Sequence, residues 1–489
     1  MTDTSADVAA ALALAPTDLF IDGQWRPASD SARLDVVDPA TETVIASVAD
    51  ATAADAEAAI DAAARAQADW STTAPRARSE ILRRAFDLVI AHREELATLI
   101  TLEMGKPLAD ARGEVTYGAE FLRWFSEEAV RINGRTTLTP EGNLQVLTAK
   151  RPVGPCYFVT PWNFPLAMAT RKIAPALAAG CTCVLKAAQL TPLTALAFVA
   201  LLDQAGVPAG VVNIVTASSA SRISAPILRD RRLRKLSFTG STAVGQRLLK
   251  DAADGVLRTS MELGGCAPFI VFADADLDRA LDAAVATKLR SNGEACNAAN
   301  TFYVEAPVAA AFARGLAERF AAVRLGPGLD DGVSLGALAS AEQRDAVAEL
   351  VDDAVARGAT VLTGGTAPDG PGFFYPATVL ADVPGDARIA TEEIFGPVAP
   401  VVTFTSEDEV VERCQASDFG LQGYLHTADS ARVTRLARLL EVGMLSVNTA
   451  TISNAAAPFG GVKLSGLGRE GGSEGIDEYL ETQYIGLPA

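Results

Sequence analysis

The sequence has 489 residues, 49% hydrophobic and 21% charged, a profile that fits a globular protein and excludes a disordered or fibrous chain. Its length predicts about two to four structural units with large hydrophobic cores. Sixty acidic against 42 basic side chains leave a net charge of −18. Because such a surface repels nucleic acid and anionic membranes, neither is an expected partner, and an anionic substrate has to be captured by local arginines.

The cysteines and histidines argue against a metal site and for a reducing compartment. The chain has two histidines, and no two cysteines have the C-x₂-C spacing of a zinc site. A long chain with six cysteines is typical of a reducing compartment, and the start, MTDTSADVAAALALAPTD, lacks the basic residues of a signal peptide. No uncharged apolar run is long enough to span a bilayer, so we expect a soluble, cytoplasmic protein. The cysteines are Cys156, Cys181, Cys183, Cys266, Cys296 and Cys414.

The first predicted elements are helices that follow a flexible tail at residues 1–15. The stretch TAADAEAAIDAAARAQADW predicts a helix, because Thr52 can cap its start and Asp55 completes a capping box. Apolar residues recur at helical spacing through residues 78–105, and Gly105 is a natural C-cap for that segment.

From residue 153 onward, short apolar runs bounded by Gly and Pro predict buried strands. VGPCYFVTP, CTCVLKA, VVNIVT, KLSFTG and APFIVF alternate with helical stretches such as TPLTALAFVALLDQAG. This alternation indicates βαβ units around a parallel sheet, and a second such series runs from about residue 267 to 465. Two strand-like segments, at 136–151 and 478–489, lie outside both series. Exposed strands of this kind often pair across subunits, so we predict a homodimer or homotetramer.

The stretch SNGEACNAAN, residues 291–300, places Cys296 among small and polar neighbours, where it is either a buried filler or a nucleophile. A catalytic thiol usually gives its proton to a histidine, and this chain has only His92 and His426. If Cys296 is a nucleophile, its proton therefore has to go to another kind of base.

Three further motifs offer partners for such a nucleophile, although each alone also has a plain structural interpretation. FTGSTAVGQ (238–246) joins a strand to a helix, and its glycines let a phosphate approach the helix start. MELGG (261–265) places Glu262 at a strand end, either as a general base of raised pKa or as an exposed loop glutamate. In TPWNFP, the Asn163 amide either donates to an oxyanion or belongs to an ordinary turn.

Taken together, these motifs resemble those of the aldehyde dehydrogenase superfamily. They occur in the family's order within residues 18–487, and Glu262 and Cys296 have the family's usual separation of 34 residues. The resemblance implies an α/β fold with two Rossmann-like parallel-sheet domains and a small β oligomerisation arm. In that fold, residues 16–135 and 152–266 form the dinucleotide-binding domain and residues 267–465 form the catalytic domain. The motifs that carry the resemblance are TPWNFP, FTGSTAVG, MELGG, NGEAC, EEIFGPV (392–398) and PFGGVKLSGLGRE (458–470).

The resemblance also implies a mechanism. The Cys296 thiolate adds to an aldehyde, hydride passes to a nicotinamide, and the resulting thioester is hydrolysed by a water molecule that Glu262 activates. Asn163 and the backbone N–H of Cys296 form the implied oxyanion site. Lys172 and Glu470 look like a proton-relay pair behind Glu262, so the mechanism needs no histidine.

The implied cofactor is NAD or NADP. Lys186 follows a parallel strand, at the sheet edge where dinucleotides bind. Many NAD-preferring members have a glutamate at the position of Gln189, where its charge repels a 2′-phosphate. Because Gln189 is neutral and Lys186 can attract that phosphate, we predict that NADP is accepted, or even preferred. The implied cofactor residues are Thr160, Trp162, Asn163, Lys186, Gln189, Gly240, Ser241, Gly245, Leu263, Glu393 and Phe395.

Several stretches, including EFLRWFSEEAVRINGR and GVKLSGLGREGGSEGIDEYLE, are similar to the succinate-semialdehyde dehydrogenases within this family. That subgroup holds the carboxylate distal to the aldehyde with two arginines and a serine, whose matches here are Arg171, Arg290 and Ser453. The planar guanidinium suits this task because it binds a carboxylate with two parallel hydrogen bonds. Each arginine alone fits a surface or interface ion pair equally well.

Two departures from the family pattern keep other substrates open. Glu294 replaces a usual glutamine and is expected to raise the pKa of the thiol or to disfavour an anionic substrate, and Thr301 replaces a common basic residue. The alternatives are glutarate semialdehyde or another ω-carboxy or uncharged aldehyde, a CoA-acylating enzyme, and a non-catalytic family member. CoA-acylating relatives commonly lack the base at Glu262, and a non-catalytic member is expected to lose Cys296, Asn163 or Glu262.

Overall fold

The computed structural model describes residues 4–450 and 452–489. The helices are α1 (Thr4–Leu14), α2 (Ala53–Thr72), α3 (Pro75–Ala91), α4 (Arg93–Met104), α5 (Leu108–Glu128), α6 (Pro165–Ala179), α7 (Pro192–Gln204), α8 (Ala220–Arg229), α9 (Thr242–Ala253), α10 (Leu277–Leu289), α11 (Ala306–Ala321), α12 (Ala341–Ala356), α13 (Arg388–Thr391), α14 (Glu407–Gln415), α15 (Ser430–Leu439) and α16 (Glu474–Asp477), and a short 3₁₀ helix spans Arg290–Gly293.

The strands supply two large sheets and three small ones. They are β1 (Leu19–Ile21), β2 (Gln24–Arg26), β3 (Arg33–Asp38), β4 (Thr43–Ala49), β5 (Arg135–Leu138), β6 (Leu144–Pro152), β7 (Cys156–Val159), β8 (Cys183–Lys186), β9 (Val212–Val215), β10 (Lys235–Thr239), β11 (Arg258–Glu262), β12 (Ala267–Val271), β13 (Ala299–Glu305), β14 (Thr360–Thr363), β15 (Thr378–Ala381), β16 (Val398–Phe404), β17 (Phe419–Gly420), β18 (Gln422–His426), β19 (Met444–Val447), β20 (Val462–Lys463), β21 (Gly466–Leu467) and β22 (Leu480–Pro488).

The first large sheet contains the apolar runs of the N-terminal half. Its order is β2-β1-β9-β8-β7-β10-β11-β21, and the five strands from β9 to β11 run parallel. All residues of β7, β8, β9 and β10 are buried, because helices cover both faces. The prediction of a parallel α/β sheet is therefore confirmed. Because the strands are parallel, β10 and β11 end at the same edge, which places Glu262 beside the FTGSTAVGQ turn.

The second large sheet lies in the C-terminal half and has the order β14-β15-β16-β13-β12-β18-β19. All of its pairings are parallel except that of β14 with β15, so the second α/β series is confirmed as well. The chain then returns to the first sheet, where β21 pairs antiparallel with β11 and brings Gly466 opposite Glu262.

The two strand-like segments outside both series form a separate sheet with the order β22-β6-β5. Strand β22 pairs antiparallel with β6 along its whole length, from Leu480 opposite Pro152 to Pro488 opposite Leu144. Most residues of β22 are exposed, so this sheet is an arm that projects from the two domains.

Two predicted capping signals are present in the structure, one at the start of α2 and one at the end of α4. The side chain of Thr52 accepts from the backbone N–H of Asp55, and Asp55 accepts from the backbone N–H of Thr52, which confirms the capping box of α2. Gly105 ends α4 with a φ of 91°, in the left-handed region, as predicted. The predicted helical stretch is interrupted at His92, which ends α3 and begins α4.

The expectation of a loose tail at residues 1–15 is wrong for the part that the structure describes. Residues Thr4–Leu14 form α1, which packs against α4. Ala11 is completely buried there, and Leu12 and Leu14 pack against the same core. The burial of these apolar side chains stabilises the helix. Residues 1–3 lie outside the described part of the chain.

Candidate active site

A cavity of about 260 Å³ lies between the two domains and contains the three residues expected to carry the chemistry, Cys296, Glu262 and Asn163. Side chains from both halves of the chain form its wall. The other lining residues are Tyr117, Pro161, Trp162, Phe164, Met168, Arg171, Thr239, Gly240, Ser241, Leu263, Gly264, Arg290, Asn297, Gln343, Glu393, Phe395, Ser453 and Phe459.

The segment before Cys296 has an unusual backbone that its side chains hold in place. Ser291 and Asn292 adopt φ values of 53° and 59°, in the left-handed region that few residues other than glycine and asparagine tolerate. The Asn292 amide donates to the carbonyl oxygen of Ala337 at 2.8 Å and accepts from the N–H of Gly336 at 2.7 Å. These contacts fix the turn that presents Cys296 to the cavity.

Cys296 is half-buried, and the pKa of its thiol is raised. Burial is the main cause that raises the pKa of this thiol to about 12; Arg171 lowers it, while Glu262 and Glu393 raise it further. From the sequence we expected Glu294 either to raise this pKa or to disfavour an anionic substrate; apart from burial, the groups that raise the pKa are Glu262 and Glu393. The Glu294 side chain is completely buried and accepts from the N–H of Ala339 at 3.0 Å.

Glu262 is the last residue of β11 and is 3% exposed. Burial and the neighbouring Glu470 raise the pKa of Glu262 well above its ordinary value, while Arg171 and Lys172 lower it. Its Oε2 atom is buried and has no hydrogen-bond partner. An unpaired carboxyl oxygen of raised pKa is suited to take up a proton from a bound molecule.

Asn163 precedes α6 and is held from both its backbone and its side chain. Its Nδ2 atom donates to the carbonyl oxygen of Glu294 at 2.8 Å, which leaves the second amide hydrogen free. Its own carbonyl oxygen accepts from Nζ of Lys106 at 2.6 Å, and Lys106 forms a buried ion pair with Glu114 at 2.7 Å. Lys106 was not predicted as a site residue, because nothing in its local sequence indicates a contact with residue 163.

Behind the cavity, Lys172 and Glu470 are in direct contact, as the relay hypothesis requires. Nζ of Lys172 lies 2.6 Å from Oε1 of Glu470, and Arg171 lies 2.7 Å from Oε2 of the same carboxylate. Burial alone would raise the pKa of Glu470, but Lys172 and Arg171 outweigh it and hold that pKa below its ordinary value. Lys172 and Glu470 do not line the cavity, whereas Arg171 does.

The three residues predicted to hold the substrate all line the cavity. Arg171 is 2% exposed and stacks over the ring of Phe459 at 4.0 Å. Arg290 donates from Nη2 to Oδ1 of Asn297 at 2.9 Å, and Nδ2 of Asn297 lies 3.3 Å from Oγ of Ser453. Asn297 was missed in the sequence, where it is one more polar residue beside the nucleophile.

The residues predicted to bind a cofactor divide into two groups. Trp162, Asn163, Gly240, Ser241, Leu263, Glu393 and Phe395 line the cavity. Lys186, Gln189, Thr160 and Gly245 lie outside it: Lys186 ends β8, and Gln189 is exposed at the rim of a neighbouring cavity. Gly245 lies inside α9, where a Cβ would approach Leu263 to 2.4 Å, so this glycine permits close packing.

Glu393 and the glycines of MELGG form a tightly packed junction. Oε1 of Glu393 accepts from the N–H of Gly265 at 3.0 Å, and burial raises the pKa of Glu393 to about 7. A Cβ on Gly264 would lie 2.8 Å from Oε2 of Glu393, and a Cβ on Gly265 would lie 2.7 Å from the carbonyl oxygen of Cys296. Gly265 is therefore required for this close approach, because its contact is with backbone, whereas the Glu393 side chain can move away from a Cβ at residue 264.

A second cavity, of about 1050 Å³, opens between α8 and α9. Its wall includes Ser224 and Arg229 from α8 and Val244 and Arg247 from α9. At the start of α9 no side chain caps the helix, so its first N–H groups have no side-chain acceptor. Gly240 and Ser241, which precede α9, line the first cavity, and Val159 and Phe238 at the ends of two parallel strands line the second, an arrangement that suits a dinucleotide.

Within residues 4–450 and 452–489, no group of three or more His, Cys, Asp or Glu side chains is arranged to hold a metal ion. Over the same residues, no helix is both long enough and apolar enough to cross a membrane. All six cysteines are free thiols.

Comparison with known proteins assigns the family. The sequence profile of the aldehyde dehydrogenase family matches residues 25–485. Succinate-semialdehyde dehydrogenase of Paenarthrobacter nicotinovorans is 60% identical over 91% of this chain and 99% of that protein. Glutarate-semialdehyde dehydrogenase of Pseudomonas putida strain KT2440 is 46% identical over 95% of this chain and 96% of that protein. The crystal structure of succinate-semialdehyde dehydrogenase from Burkholderia pseudomallei has a TM-score of 0.96 at 45% identity and covers 98% of this chain and 99% of that chain. This chain therefore belongs to the aldehyde dehydrogenase family.

Proposed function

We propose that the protein oxidises succinate semialdehyde to succinate with NADP or NAD. The observation that carries this proposal is the presence of Cys296, Glu262 and Asn163 in one cavity with two arginines, Arg171 and Arg290. The relative of 60% identity, named succinate-semialdehyde dehydrogenase, supports the same substrate.

In the proposed reaction, the Cys296 thiol must lose its proton before it attacks the aldehyde carbon. Glu262 is the base, because its Oε2 atom is buried without a partner in the same cavity. The backbone N–H of Cys296 and the free amide hydrogen of Asn163 stabilise the oxyanion of the adduct. Loss of one such donor typically costs about 3–4 kcal/mol. A bound nicotinamide supplies the hydride acceptor, and Glu262 then activates the water that hydrolyses the thioester at Cys296.

Glu470 and Lys172 have a supporting role in this proposal. Their contact lies behind Glu262, and Glu470 is one of the groups that raise the pKa of Glu262. Since Glu262 receives one proton from the Cys296 thiol and a second from the hydrolytic water, it has to pass on the first before it activates the water and the second before the next turnover. The buried ion pair of Lys172 and Glu470 is a path for that transfer, which deepens the relay hypothesis made from the sequence.

The two arginines support a substrate with a carboxylate. A net charge of −18 repels anions, so binding has to come from local cations. Arg290 and Ser453 lie on the wall of the cavity, and Arg171 adds a second guanidinium there. An uncharged aldehyde would leave the charge of Arg290, whose side-chain acceptor is the neutral Asn297, without a counter-ion inside a partly desolvated cavity, which costs free energy.

The cofactor is proposed to lie along the ends of β10 and β11, with its nucleotide part in the cavity between α8 and α9. Trp162, Glu393 and Phe395 line the inner cavity, where the nicotinamide end would be held. Burial lowers the pKa of Lys186 to about 8, so this side chain is still largely cationic near neutral pH. Because Gln189 carries no charge that repels a 2′-phosphate, NADP is proposed as an accepted cofactor beside NAD.

The test measures kcat/KM for succinate semialdehyde and for butanal, an uncharged aldehyde of equal carbon number, with NADP and with NAD at 340 nm. We expect the carboxylated aldehyde to be preferred and Arg290→Ala to weaken it selectively by roughly 2–5 kcal/mol. Arg319→Ala, on the surface helix α11, is the control. Equal losses for both aldehydes in Arg290→Ala would contradict the substrate assignment, and a hundredfold preference for NAD would contradict the cofactor assignment.

Glutarate semialdehyde is the second candidate substrate, because the relative from Pseudomonas putida is named for it. It differs from succinate semialdehyde by one methylene, and one methylene typically changes selectivity by only about 10–200-fold. The same assay with both semialdehydes ranks them directly. Adding CoA tests the acylating alternative, which the retained base Glu262 disfavours.

We also propose that the enzyme acts in the cytoplasm as a homodimer or homotetramer. Free thiols at all six cysteines are typical of a reducing compartment. The exposed arm formed by β5, β6 and β22 is the surface through which subunits would pair.

A further inference from the structure

We propose that Asn297 is a positioning residue that sets the preference for substrates with a terminal anion, because it holds Arg290 and Ser453 in place while leaving the charge of Arg290 uncompensated. This inference rests on the proposed function, since it concerns how the same cavity recognises the carboxylate. Asn297 follows the nucleophile directly, is 4% exposed and lines the cavity.

The Asn297 amide joins three segments of the chain. Its Oδ1 atom accepts from Nη2 of Arg290 at 2.9 Å. Its Nδ2 atom donates to Oε1 of Gln422 at 2.9 Å and to Oγ of Ser453 at 3.3 Å. Both amide hydrogens therefore have acceptors, so the amide acts on the substrate through Arg290 and Ser453 and does not need to contact it.

The sheet of the catalytic domain anchors this network. Gln422 begins β18, is completely buried, and donates from Nε2 to Oγ of Ser446 on β19 at 2.9 Å. Ser446 in turn donates to the carbonyl oxygen of Ala450 at 3.1 Å, close to the segment that carries Ser453. The hydroxyl of Tyr424 donates to the carbonyl oxygen of Asn297 at 2.5 Å. The position of Asn297 is thus fixed by buried strands.

The neutrality of Asn297 matters as much as its position. Arg171 already has a carboxylate partner, Glu470, at 2.7 Å. Across the described part of the chain, no Asp or Glu oxygen lies within 4.0 Å of the Arg290 guanidinium. A neutral amide orients Arg290 and leaves its positive charge for a ligand, whereas a carboxylate at the same place would neutralise that charge. The network therefore favours a carboxylate or another anion at the far end of the substrate.

Two variants distinguish the loss of the contacts that hold Arg290 from the addition of a negative charge at residue 297. Asn297→Asp keeps the shape and the contact with Arg290 but adds a competing carboxylate, and Asn297→Ala removes the contacts without adding charge. The matched control is Asn213→Ala, which removes another completely buried amide, on β9, with bonds to Cys183, Gly210 and Asp22. Thermal melting of each variant establishes that it is folded, and Asn297→Ala serves alone if the aspartate variant does not fold.

The measurements are kcat and KM for succinate semialdehyde and for butanal, and the inhibition constant of succinate against butanal oxidation. In Asn297→Asp we expect kcat/KM for the semialdehyde to fall at least about 100-fold relative to that for butanal, mostly through KM. In Asn297→Ala we expect this relative loss to be about tenfold, and Asn213→Ala should leave the ratio unchanged. The inhibition constant of succinate should rise in parallel, because it reports anion binding without the chemistry of the neighbouring Cys296.

Two outcomes would overturn the inference: an unchanged ratio in both Asn297 variants, or equal losses for both aldehydes with an unchanged inhibition constant for succinate. The second outcome would mean that Asn297 acts on the nucleophile instead. If the parent enzyme itself does not prefer the carboxylated aldehyde, the proposed substrate fails, and the inference built on it is overturned with it. These results are distinguishable because the parent is measured with both aldehydes first.

Discussion

At the level of single residues, the nucleophile and the base both have raised pKa values. Burial raises the pKa of the Cys296 thiol to about 12 and raises that of Glu262 well above its ordinary value. The reactive forms are the thiolate and the carboxylate, and the fraction of each increases as the pH rises. The activity of the enzyme should therefore increase with pH.

We expect kcat/KM to rise from about pH 6 to about pH 9, and Glu262→Gln to reduce turnover by about 10²–10⁴-fold. The glutamine variant should also show a shallower pH dependence, because residue 262 no longer titrates. Initial rates across this pH range, compared with the exposed control Glu474→Gln, provide the measurement. A flat profile for the parent, or full activity of Glu262→Gln, would contradict the role of Glu262 as the base.

The resemblance to the aldehyde dehydrogenase family, carried by six motifs in the family's order, predicted that Cys296, Glu262 and Asn163 act together, although each motif alone also fitted a structural role. The motifs did not predict Asn297 or Lys106. The roles of these two residues depend on contacts with residues that are distant in sequence, such as Gln422, 125 positions from Asn297. Nothing in the neighbourhood of either residue encodes such a contact, so only the folded structure reveals it.

At the level of helices and strands, the loop after β11 packs closely against the segment that carries Cys296, because residue 265 is a glycine. A Cβ on Gly265 would lie 2.7 Å from the carbonyl oxygen of Cys296 and 3.2 Å from Leu421. Because one of these contacts is with backbone, the segment that carries Cys296 would have to move to relieve it.

We therefore expect Gly265→Ala to lower kcat at least about tenfold, since a small misplacement of reacting groups has a large effect on rate. Gly113→Ala is the matched control: Gly113 is exposed in α5, and a Cβ there would meet nothing within 4 Å. That control should retain full kcat and gain up to about 1 kcal/mol of stability from the helix propensity of alanine. Steady-state kinetics and urea unfolding test both, and full kcat in Gly265→Ala would contradict the packing argument.

A helix or a helix end could be predicted from the sequence where a few adjacent residues determine it. The capping box at Thr52 and the C-cap at Gly105 are set by a few adjacent residues, and both are present. Helix α1 was missed because the burial of Ala11 against another helix, not a local signal, stabilises it. The break at His92 was missed for a related reason, since neither proline nor glycine marks it.

For the molecule as a whole, the arm formed by β5, β6 and β22 exposes apolar side chains beyond the two domains. Leu138 and Tyr484 are each 58% exposed, and Leu487 and Ile485 are exposed by 43% and 39%. A group of exposed apolar side chains on a small sheet usually marks a surface that another chain covers. We expect a second copy of this chain to cover it.

Light scattering during size-exclusion chromatography should therefore give a mass of two or four times the 50.8 kDa of one chain. Replacing both Ile485 and Leu487 with glutamate should shift the protein toward the monomer, because charged side chains would then have to be buried. The control is Val355→Glu, an equally exposed position on α12 that lies outside the arm. A monomeric parent, or an unchanged mass in the double variant, would contradict this expectation.

The most direct test of the proposed chemistry is the rate of dinucleotide reduction by purified Cys296→Ser with succinate semialdehyde, followed at 340 nm beside the parent. Cys266→Ser, which changes another half-buried thiol outside the cavity, is the control. We predict that Cys296→Ser loses at least about 10³-fold in kcat, in line with the loss of a catalytic nucleophile, while Cys266→Ser retains activity. A Cys296→Ser variant that reduces the dinucleotide as fast as the parent would contradict the account.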